Sequence, residues 1–235
     1  MVKKEFEKGL CKITLEGAKG NMLDRVDINS LLNDILEAKE DREVKGVLLT
    51  GGGHAFCVGL NLGDEVQDGY KEEAFALFDK LLYELFFLPK PVVVAVNGHS
   101  IGGGLLLQAC ADYTIVVDCM KTKFGLPEVK LGLTIDQVMW ELLSFNLKST
   151  KILSTLLLTS EYICVQKLLD IGLADELTSG DTLLEIAHEK LYQLMSMPLN
   201  SYCMTKKLVK QHTAEKMKQG LENKVFQVFN KVNSK

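Results

Sequence analysis

Residues 91–104 contain the pattern of residue types that points most directly to chemistry. An apolar run of valine and alanine ends at Asn97-Gly98, and three consecutive glycines at 102–104 precede a second apolar run. This order predicts a buried strand, a tight turn and the start of a buried helix. Glycines let the backbone approach a ligand closely, and the first amides of a helix have no partner within it. The segment is therefore typical of a site that holds an anion or a developing oxyanion.

The spacing of these glycines excludes the two common nucleotide-binding loops. A dinucleotide fingerprint reads Gly-x-Gly-x-x-Gly, with an acidic residue about 20 positions later, and a Walker loop ends in Gly-Lys-Ser/Thr. Neither pattern follows the apolar run at 91–96. Close packing of a helix on a strand would also require small residues, so the glycines alone leave both a packing role and an oxyanion site open.

Two further segments join the first in a recognisable series. Residues 45–50 form an apolar run into three glycines, followed by His-Ala-Phe-Cys-Val-Gly-Leu-Asn-Leu at 54–62, and Phe-Gly-Leu-Pro-Glu stands at 124–128. In this order and at these separations, the segments resemble the crotonase superfamily, also called the enoyl-CoA hydratase/isomerase family. The resemblance implies an α/β fold with a crotonase-like ββα spiral core at 1–135 and a helical C-terminal oligomerisation region at 136–235. It also implies a homotrimer, often paired into a hexamer.

The resemblance implies that two backbone N–H groups bind a thioester carbonyl and stabilise the enolate formed from it. By position in the motifs, these amides belong to Val58 and Gly103. Leu60, Asn61 and Leu62 occupy the positions at which the family contacts the adenine end of the carrier. Because Asn61 stands where the family has aspartate, coenzyme A and the phosphopantetheine arm of an acyl carrier protein are both candidate carriers. The carrier belongs to the substrate, so no separate cofactor is expected.

The family's acid–base residues are only partly present. Family hydratases place two glutamates on opposite sides of one water, and here the second is Glu128 whereas the first position is Leu106. Leucine cannot transfer a proton, so hydration by two carboxylates is not expected. Family Δ3,Δ2-enoyl isomerases need only the second glutamate, and an apolar pocket would raise the pKa of such a carboxyl toward a useful range. The first hypothesis is therefore double-bond isomerisation with Glu128 as the single base.

Two other functions remain open at this stage. A decarboxylase or dehydratase of a polyketide β-branching pathway would rely mainly on the oxyanion hole, and Leu106 would not hinder it. In a decarboxylase, however, Glu128 would face the departing carboxylate as a like charge. A non-catalytic acyl-thioester-binding protein would explain Leu106 and Asn61, but it would not require Glu128.

Two polar residues near the motifs have alternative roles. Asp136 follows Glu128 by eight residues, the spacing at which dienoyl-thioester isomerases of the family carry an acid, and it equally suits the N-cap of a helix. His99 lies beside the glycine turn and is expected to line the substrate site. The four histidines and six cysteines show no metal-ligand spacing, so no metal is expected.

The elements that must position these residues follow from hydrophobic periodicity. The predicted strands are 10–15, 45–50, 91–96 and 112–117, and the predicted helices are 28–36, 70–88 and 102–111. Asp24 and Asp27 are the two candidate N-caps of the first of these helices. Beyond residue 136 the chain is predicted to be helical, with breaks near Gly172 and Pro198. Strands that alternate with helices favour a parallel sheet, whose sites collect at the carboxyl ends of the strands.

Composition limits the class of protein and its surroundings. The 235 residues are 47% hydrophobic and 25% charged, which is typical of a globular α/β chain. The net charge of −4 argues against a nucleic-acid partner, and no apolar run reaches the roughly 20 residues that span a bilayer. The cysteines show no disulfide framework, and the first residues do not resemble a secretory signal. We therefore expect a cytoplasmic protein with reduced thiols.

Overall fold

The computed structural model describes residues 1–61 and 70–233, so Leu62 lies outside the described residues. Within them, the strands are β1 (Val2–Glu7), β2 (Leu10–Leu15), β3 (Gly46–Gly51), β4 (Ala55–Cys57), β5 (Val92–Val96), β6 (His99–Ile101), β7 (Tyr113–Val117), β8 (Phe124–Gly125) and β9 (Glu176–Thr178). The helices are α1 (Ala18–Asn21), α2 (Arg25–Glu40), α3 (Tyr70–Phe86), α4 (Gly103–Ala109), α5 (Gln137–Asn146), α6 (Thr150–Thr159), α7 (Val165–Ile171), α8 (Leu183–Met195) and α9 (Leu199–Asn233).

The larger sheet has the strand order β1-β2-β3-β5-β7-β9. Strand β1 is antiparallel to β2, and the other neighbouring strands are parallel. The four predicted strands are confirmed, with bounds that move by at most one residue. The continuous apolar run of β5 is buried at every position, as expected of a central parallel strand covered on both faces.

The smaller sheet, β4-β6-β8, is parallel and stands directly beyond the carboxyl ends of β3, β5 and β7. Its strands come from the segments that follow these three strands along the chain. Glycine makes this close assembly possible, because a Cβ on Gly104 would overlap the Cys57 carbonyl of β4. The three motif segments identified in the sequence therefore meet in one place.

Helices cover both faces of the larger sheet. Helix α2 begins after Asp24, which is one of the two predicted N-caps. Its Oδ1 accepts a hydrogen bond from Asp27 N at 2.8 Å and so caps the helix. On the other face, α8 packs with Leu183 and Leu191 against Leu48 and Val93 of the sheet. Helix α9 packs against α3 and α5.

One buried ion cluster attaches α9 to the amino end of β7. The Asp112 carboxylate lies 2.6 Å from Lys206 Nζ and 2.7 Å from Lys210 Nζ, and all three side chains are less than a tenth exposed. Lys210 Nζ also donates to Cys110 O, at the C-terminal end of α4. The cluster thus joins the C-terminal region to α4, the helix that begins within the run of three glycines.

The C-terminal half contains β9, although the sequence predicted only helices there. Three residues of β9 pair with β7, from Ile115 with Glu176 to Val117 with Thr178, and extend the larger sheet. The predicted breaks are correct, since α7 ends before Gly172 and α9 begins after Pro198. No helix in the described part of the chain combines the length and apolarity needed to cross a membrane.

Candidate active site

A cavity of about 180 Å³ lies between the first residues of α4, the loop after β4 and the turn at Glu128. Its walls are mainly apolar side chains, among them Met22, Phe75, Phe78, Leu106, Leu131 and Met139. Of the lining residues that the structure describes, Glu128 is the only one with an ionisable side chain, and Thr134 adds the only other polar side chain. The arrangement is a small, largely apolar chamber with one acid.

The first amide of α4 opens into this cavity. Gly102 adopts φ 55° and ψ −121°, a backbone conformation that side chains disfavour, and the helix begins at Gly103. Neither a backbone nor a side-chain acceptor for Gly103 N–H occurs within 1–61 and 70–233. A Cβ on Gly103 would lie 3.1 Å from the Phe78 ring and 3.3 Å from Leu60 Cδ2, so the site is crowded around this amide. Gly103 is positioned as predicted, with an unpaired donor in the cavity wall.

The structure corrects the prediction for the second amide. Val58 N–H donates to Gly20 O at 3.1 Å, so it is already paired and cannot bind a substrate oxygen. Two residues later the chain pairs with Leu23, since Leu23 N donates to Gly59 O at 3.0 Å and Asn61 N donates to Leu23 O at 2.8 Å. Leu60 N–H lies between these bonds and has no acceptor among the described residues. Leu60 lines the cavity, so its amide replaces that of Val58 as the candidate donor.

Glu128 is a buried carboxyl group without a counter-charge. It is 8% exposed, and its Oε2 has no hydrogen-bond partner among the described residues. Burial raises the pKa of the Glu128 carboxyl above its ordinary value. Oε1 lies 3.1 Å from the place that a Cβ on Gly102 would occupy, so a glycine there lets the carboxyl group stand beside the start of α4. A group of this kind suits proton abstraction in an apolar pocket.

The other predicted site residues divide into two groups. Leu106 is 1% exposed and lines the cavity, as does Leu60. Asn61 is exposed and lines a shallow neighbouring depression together with Lys19, and Met22 borders both spaces. The depression therefore adjoins the cavity through Met22, a residue that the sequence did not single out.

His99 and Asp136 are not among the residues that line the cavity. The Nδ1 atom of His99 instead accepts a hydrogen bond from Lys123 N at 3.0 Å. The structure therefore does not support the prediction that His99 lines the substrate site. Asp136 caps α5, because its Oδ1 accepts a hydrogen bond from Met139 N at 2.9 Å. Of the two roles open for Asp136, the structure supports the cap.

Sequence reasoning also missed Asn21, which lies behind the cavity wall. Its side chain is 3% exposed and bonds to the loop between β3 and β4. The signal that could have found it was the short Gly-Ala-Lys-Gly-Asn run at 17–21, whose residue types are typical of a left-handed turn. Within the described ranges, no three His, Cys, Asp or Glu side chains are placed to hold a metal ion.

Comparison with known proteins identifies the family. The enoyl-CoA hydratase/isomerase family model matches residues 5–235, so the chain belongs to this family, within the crotonase superfamily. The carnitinyl-CoA dehydratase of Citrobacter koseri is 31% identical over 197 residues, which cover 81% of this chain and 73% of that protein.

Solved structures agree on the fold. A Mycobacterium tuberculosis protein, described as an enoyl-CoA isomerase in one structure and as a probable enoyl-CoA hydratase in another, is 21% identical with a TM-score of 0.87 in the first, and that match covers 95% of this chain and 97% of that one. The enoyl-CoA hydratase of Bacillus halodurans is 25% identical with a TM-score of 0.86, over 97% and 93% of the two chains. The predicted crotonase-like α/β fold with a helical C-terminal region is confirmed.

Proposed function

We propose that this protein isomerises the double bond of a short 3-enoyl thioester, with Glu128 as the single base. The observation that carries the proposal is the cavity itself, in which the buried carboxyl group of Glu128, with no hydrogen-bond partner for its Oε2 among the described residues, is the only ionisable side chain of the described walls. The two unpaired amides of Leu60 and Gly103 supply the complementary feature, a pair of donors for a developing oxyanion.

The reaction follows from these three groups. The thioester carbonyl oxygen accepts hydrogen bonds from Leu60 N–H and Gly103 N–H, and Glu128 removes a proton from the carbon next to the carbonyl. The electron pair moves to the carbonyl oxygen and gives a dienolate, which the two amides stabilise. The protonated Glu128 then donates a proton to the γ carbon, so the double bond moves into conjugation and the carboxylate is regenerated.

The size and polarity of the cavity restrict the acyl group. A cavity of about 150 Å³ lined by apolar side chains holds a benzene molecule, so about 180 Å³ has room for an acyl group of roughly four to seven carbons. The apolar walls favour an unsubstituted hydrocarbon chain over one with a second charge. For this reason a carnitinyl or glutaconyl group fits the site less well than a plain 3-enoyl group.

The carrier extends past Met22 into the neighbouring depression, where Lys19 and Asn61 face solvent. Either coenzyme A or the phosphopantetheine arm of a carrier protein presents a thioester by this route. Lys19 provides a positive charge for a phosphate group on either carrier.

A hydration or dehydration role is the second candidate, because the Citrobacter koseri relative is named as a dehydratase. Leu106 argues against it, since a buried leucine replaces the second acid that would share a water with Glu128. The decarboxylase alternative also lacks support in the cavity, because Glu128 would repel a substrate carboxylate.

We also propose that the working unit is a homotrimer or a pair of trimers in the cytoplasm. Large apolar side chains are exposed on several helices and turns, including Leu131, Leu158, Met204 and Leu208. All six cysteines are free thiols, in keeping with a reducing compartment. Sedimentation equilibrium should give three or six times the chain mass of 26.1 kDa.

The test measures which carbon exchanges hydrogen in D₂O. Thioesters of 3-hexenoate, crotonate and glutaconate are offered to the protein on coenzyme A and on a carrier protein, and products are followed by NMR. We expect rapid isomerisation of the 3-enoyl substrate with deuterium at the α and γ carbons, and little hydration of the crotonyl substrate. Strong hydration without isomerisation would contradict the single-base mechanism, and release of CO₂ from the glutaconyl substrate would favour the decarboxylase.

A further inference from the structure

We propose that Asn21 is the positioning residue of the oxyanion hole, an inference that rests on the proposed function. Asn21 does not line the cavity. It acts through the loop that carries Leu60, because it fixes the short segment against which this loop pairs. The structure links the two in two steps, from the Asn21 side chain to the 20–23 backbone and from there to the Leu60 amide.

The Asn21 side chain is a buried bridge between two loops. Its Nδ2 donates to Gly52 O and Ala55 O at 2.8 Å each and to Phe56 O at 3.2 Å. Its Oδ1 accepts from Gly17 N at 2.9 Å. Both ends of the amide are therefore used, and one side chain connects the turn before α2 to the strand that leads into the Val58–Leu60 loop.

The backbone beside Asn21 then aligns that loop. Gly20 O accepts the Val58 amide at 3.1 Å, and Leu23 forms bonds on either side of Leu60, to Gly59 O and from Asn61 N. In a parallel pairing of this kind, successive N–H groups along the chain point to opposite sides. Asn61 N–H is bonded to Leu23 O, so the neighbouring Leu60 N–H points to the other side of the chain, toward the cavity that Leu60 lines. The positive φ of Gly59 interrupts the alternation and lets Val58 N–H also face the 20–23 segment.

The 19–21 segment holds an unfavourable backbone conformation. Lys19, Gly20 and Asn21 have φ values of 52°, 82° and 60°, so three consecutive residues are left-handed. Residues of this kind persist only where the surrounding structure fixes them. The four hydrogen bonds of the Asn21 side chain provide that constraint, and without them the segment is expected to relax toward a right-handed or extended form.

Loss of the Asn21 amide group should move the Leu60 amide without removing it. A misplacement of about 1 Å at a reacting centre lowers turnover by roughly 100-fold. Because the carrier and the acyl chain are bound elsewhere, KM should change much less than kcat. A stretched or lost contact to the carbonyl oxygen also has a direct spectroscopic sign, since a hydrogen-bonded carbonyl absorbs at lower frequency than a free one.

The test is the Asn21→Asp variant, which retains the acceptor for Gly17 N but places a carboxylate oxygen against three carbonyls. Asn146→Asp is the matched control, because Asn146 Nδ2 also donates to two carbonyls, Ala109 O at the C-terminal end of α4 and Leu142 O in α5. Infrared difference spectra of bound [1-¹³C]butanoyl-CoA report the carbonyl stretch, and kcat and KM are measured with the 3-hexenoyl thioester. We expect the wild type and Asn146→Asp to lower the stretch equally, and Asn21→Asp to leave it near the value of the free thioester.

The outcomes separate this inference from the proposed function. A wild-type carbonyl shift and wild-type kcat in Asn21→Asp would overturn the role of Asn21 while isomerisation stands. A wild-type protein that isomerises no 3-enoyl thioester would instead contradict the function, and the carbonyl shift would still test Asn21. If Asn21→Asp does not fold, Gly20→Ala replaces it, because a Cβ there would lie 3.2 Å from both Val58 methyl groups. An unchanged carbonyl stretch in a folded Gly20→Ala protein would likewise refute the proposal.

Discussion

Replacement of Glu128 by glutamine tests the single-base mechanism most directly. Glutamine has nearly the same shape and remains uncharged, so it cannot accept a proton from the substrate. No other described wall of the cavity offers an ionisable side chain that could take over this role. The perturbation therefore removes the chemistry and leaves the cavity volume, the two amides and the apolar walls in place.

The magnitude follows from what a positioned general base contributes. Such a base accelerates a reaction by about 10²- to 10⁴-fold, which corresponds to about 3 to 5 kcal/mol of the activation barrier. We expect kcat of Glu128→Gln to fall within or beyond this range, with thioester affinity nearly unchanged. Wild-type kcat/KM should rise with pH through the raised pKa of Glu128, because only the carboxylate can act as a base, and the variant should lack this rise.

The stability of the folded protein gives an independent check, because the substitution that lowers activity is expected to increase stability relative to the wild type as pH rises. Burial raises the pKa of Glu128, so the folded protein binds this proton more tightly than the unfolded chain does. Wild-type stability is therefore lost as pH rises from the ordinary pKa toward the raised one. The loss is about 1.4 kcal/mol for each factor of ten by which folding increases the proton affinity of the carboxylate. Glu128→Gln has no such loss, so its Tm relative to wild type should increase with pH across this window.

The assay combines 3-hexenoyl thioester isomerisation, α-carbon exchange in D₂O and thermal unfolding at several pH values. A variant that isomerises at the wild-type rate would refute the reasoning, whatever its stability. A variant that is inactive but also fails to gain stability at high pH would show that the carboxyl group is less desolvated than the structure indicates.

Two further substitutions test the surroundings of this acid, and a third tests the buried ion cluster that attaches α9 to β7. Leu106→Glu should add measurable crotonyl-CoA hydration, because it restores a second carboxyl group in the cavity of Glu128, and a variant with no added hydration would place that position outside the reaction. Gly103→Pro should lower kcat by about 10²- to 10³-fold, since it removes one oxyanion donor at a helix position where proline is tolerated. A variant with full activity in steady-state assays would show that the oxyanion hole lies elsewhere. Asp112→Asn should cost about 3 to 5 kcal/mol in denaturant unfolding, because two buried lysines lose their counter-charge, whereas Asp170→Asn at the surface should have little effect.

Local sequence signals were sufficient to predict a strand, a turn or a helix where one segment determines its own structure. The apolar run of β5 ends at a glycine turn and leads into α4, and the structure reproduces this order because each step depends on residue types close together in the chain. The cap at Asp24 and the end of α7 before Gly172 follow for the same reason. These features place the glycines at the start of α4, whereas the position of Glu128 beside them was expected only from the resemblance to the family.

Elements that exist only through distant pairing were not predictable. Strands β4, β6, β8 and β9 have two or three residues each, too few for a hydrophobic period to be read. Their stability comes from neighbours far along the chain, as when Ile115 pairs with Glu176. Strand β1 was missed for a different reason, since its Lys-Lys-Glu-Phe-Glu run lies on an exposed edge and lacks an apolar face.

At the site itself, the sequence could not decide between the Val58 and Leu60 amides, because the answer also depends on distant pairing. Both residues belong to one short motif, and residue types do not reveal which way a backbone N–H points. That direction is decided by Gly20 and Leu23, more than 30 residues earlier in the chain, which pair with the loop. His99 gives a similar example, because it is not among the described residues that line the cavity and its ring accepts a hydrogen bond from Lys123 N, 24 residues later in the chain.

The absence of a second acid and the apolar character of the cavity support the same reaction for related physical reasons. A bound water usually needs two to four polar partners, and among the described walls only Glu128 and Thr134 present polar side chains. Such a chamber holds a catalytic water poorly, which disfavours hydration. It also desolvates Glu128, which raises the basicity of the carboxylate. Burial of one unpaired carboxyl group, which costs stability at neutral pH, is thus the property that lets a single residue move a proton from one carbon of the acyl chain to another.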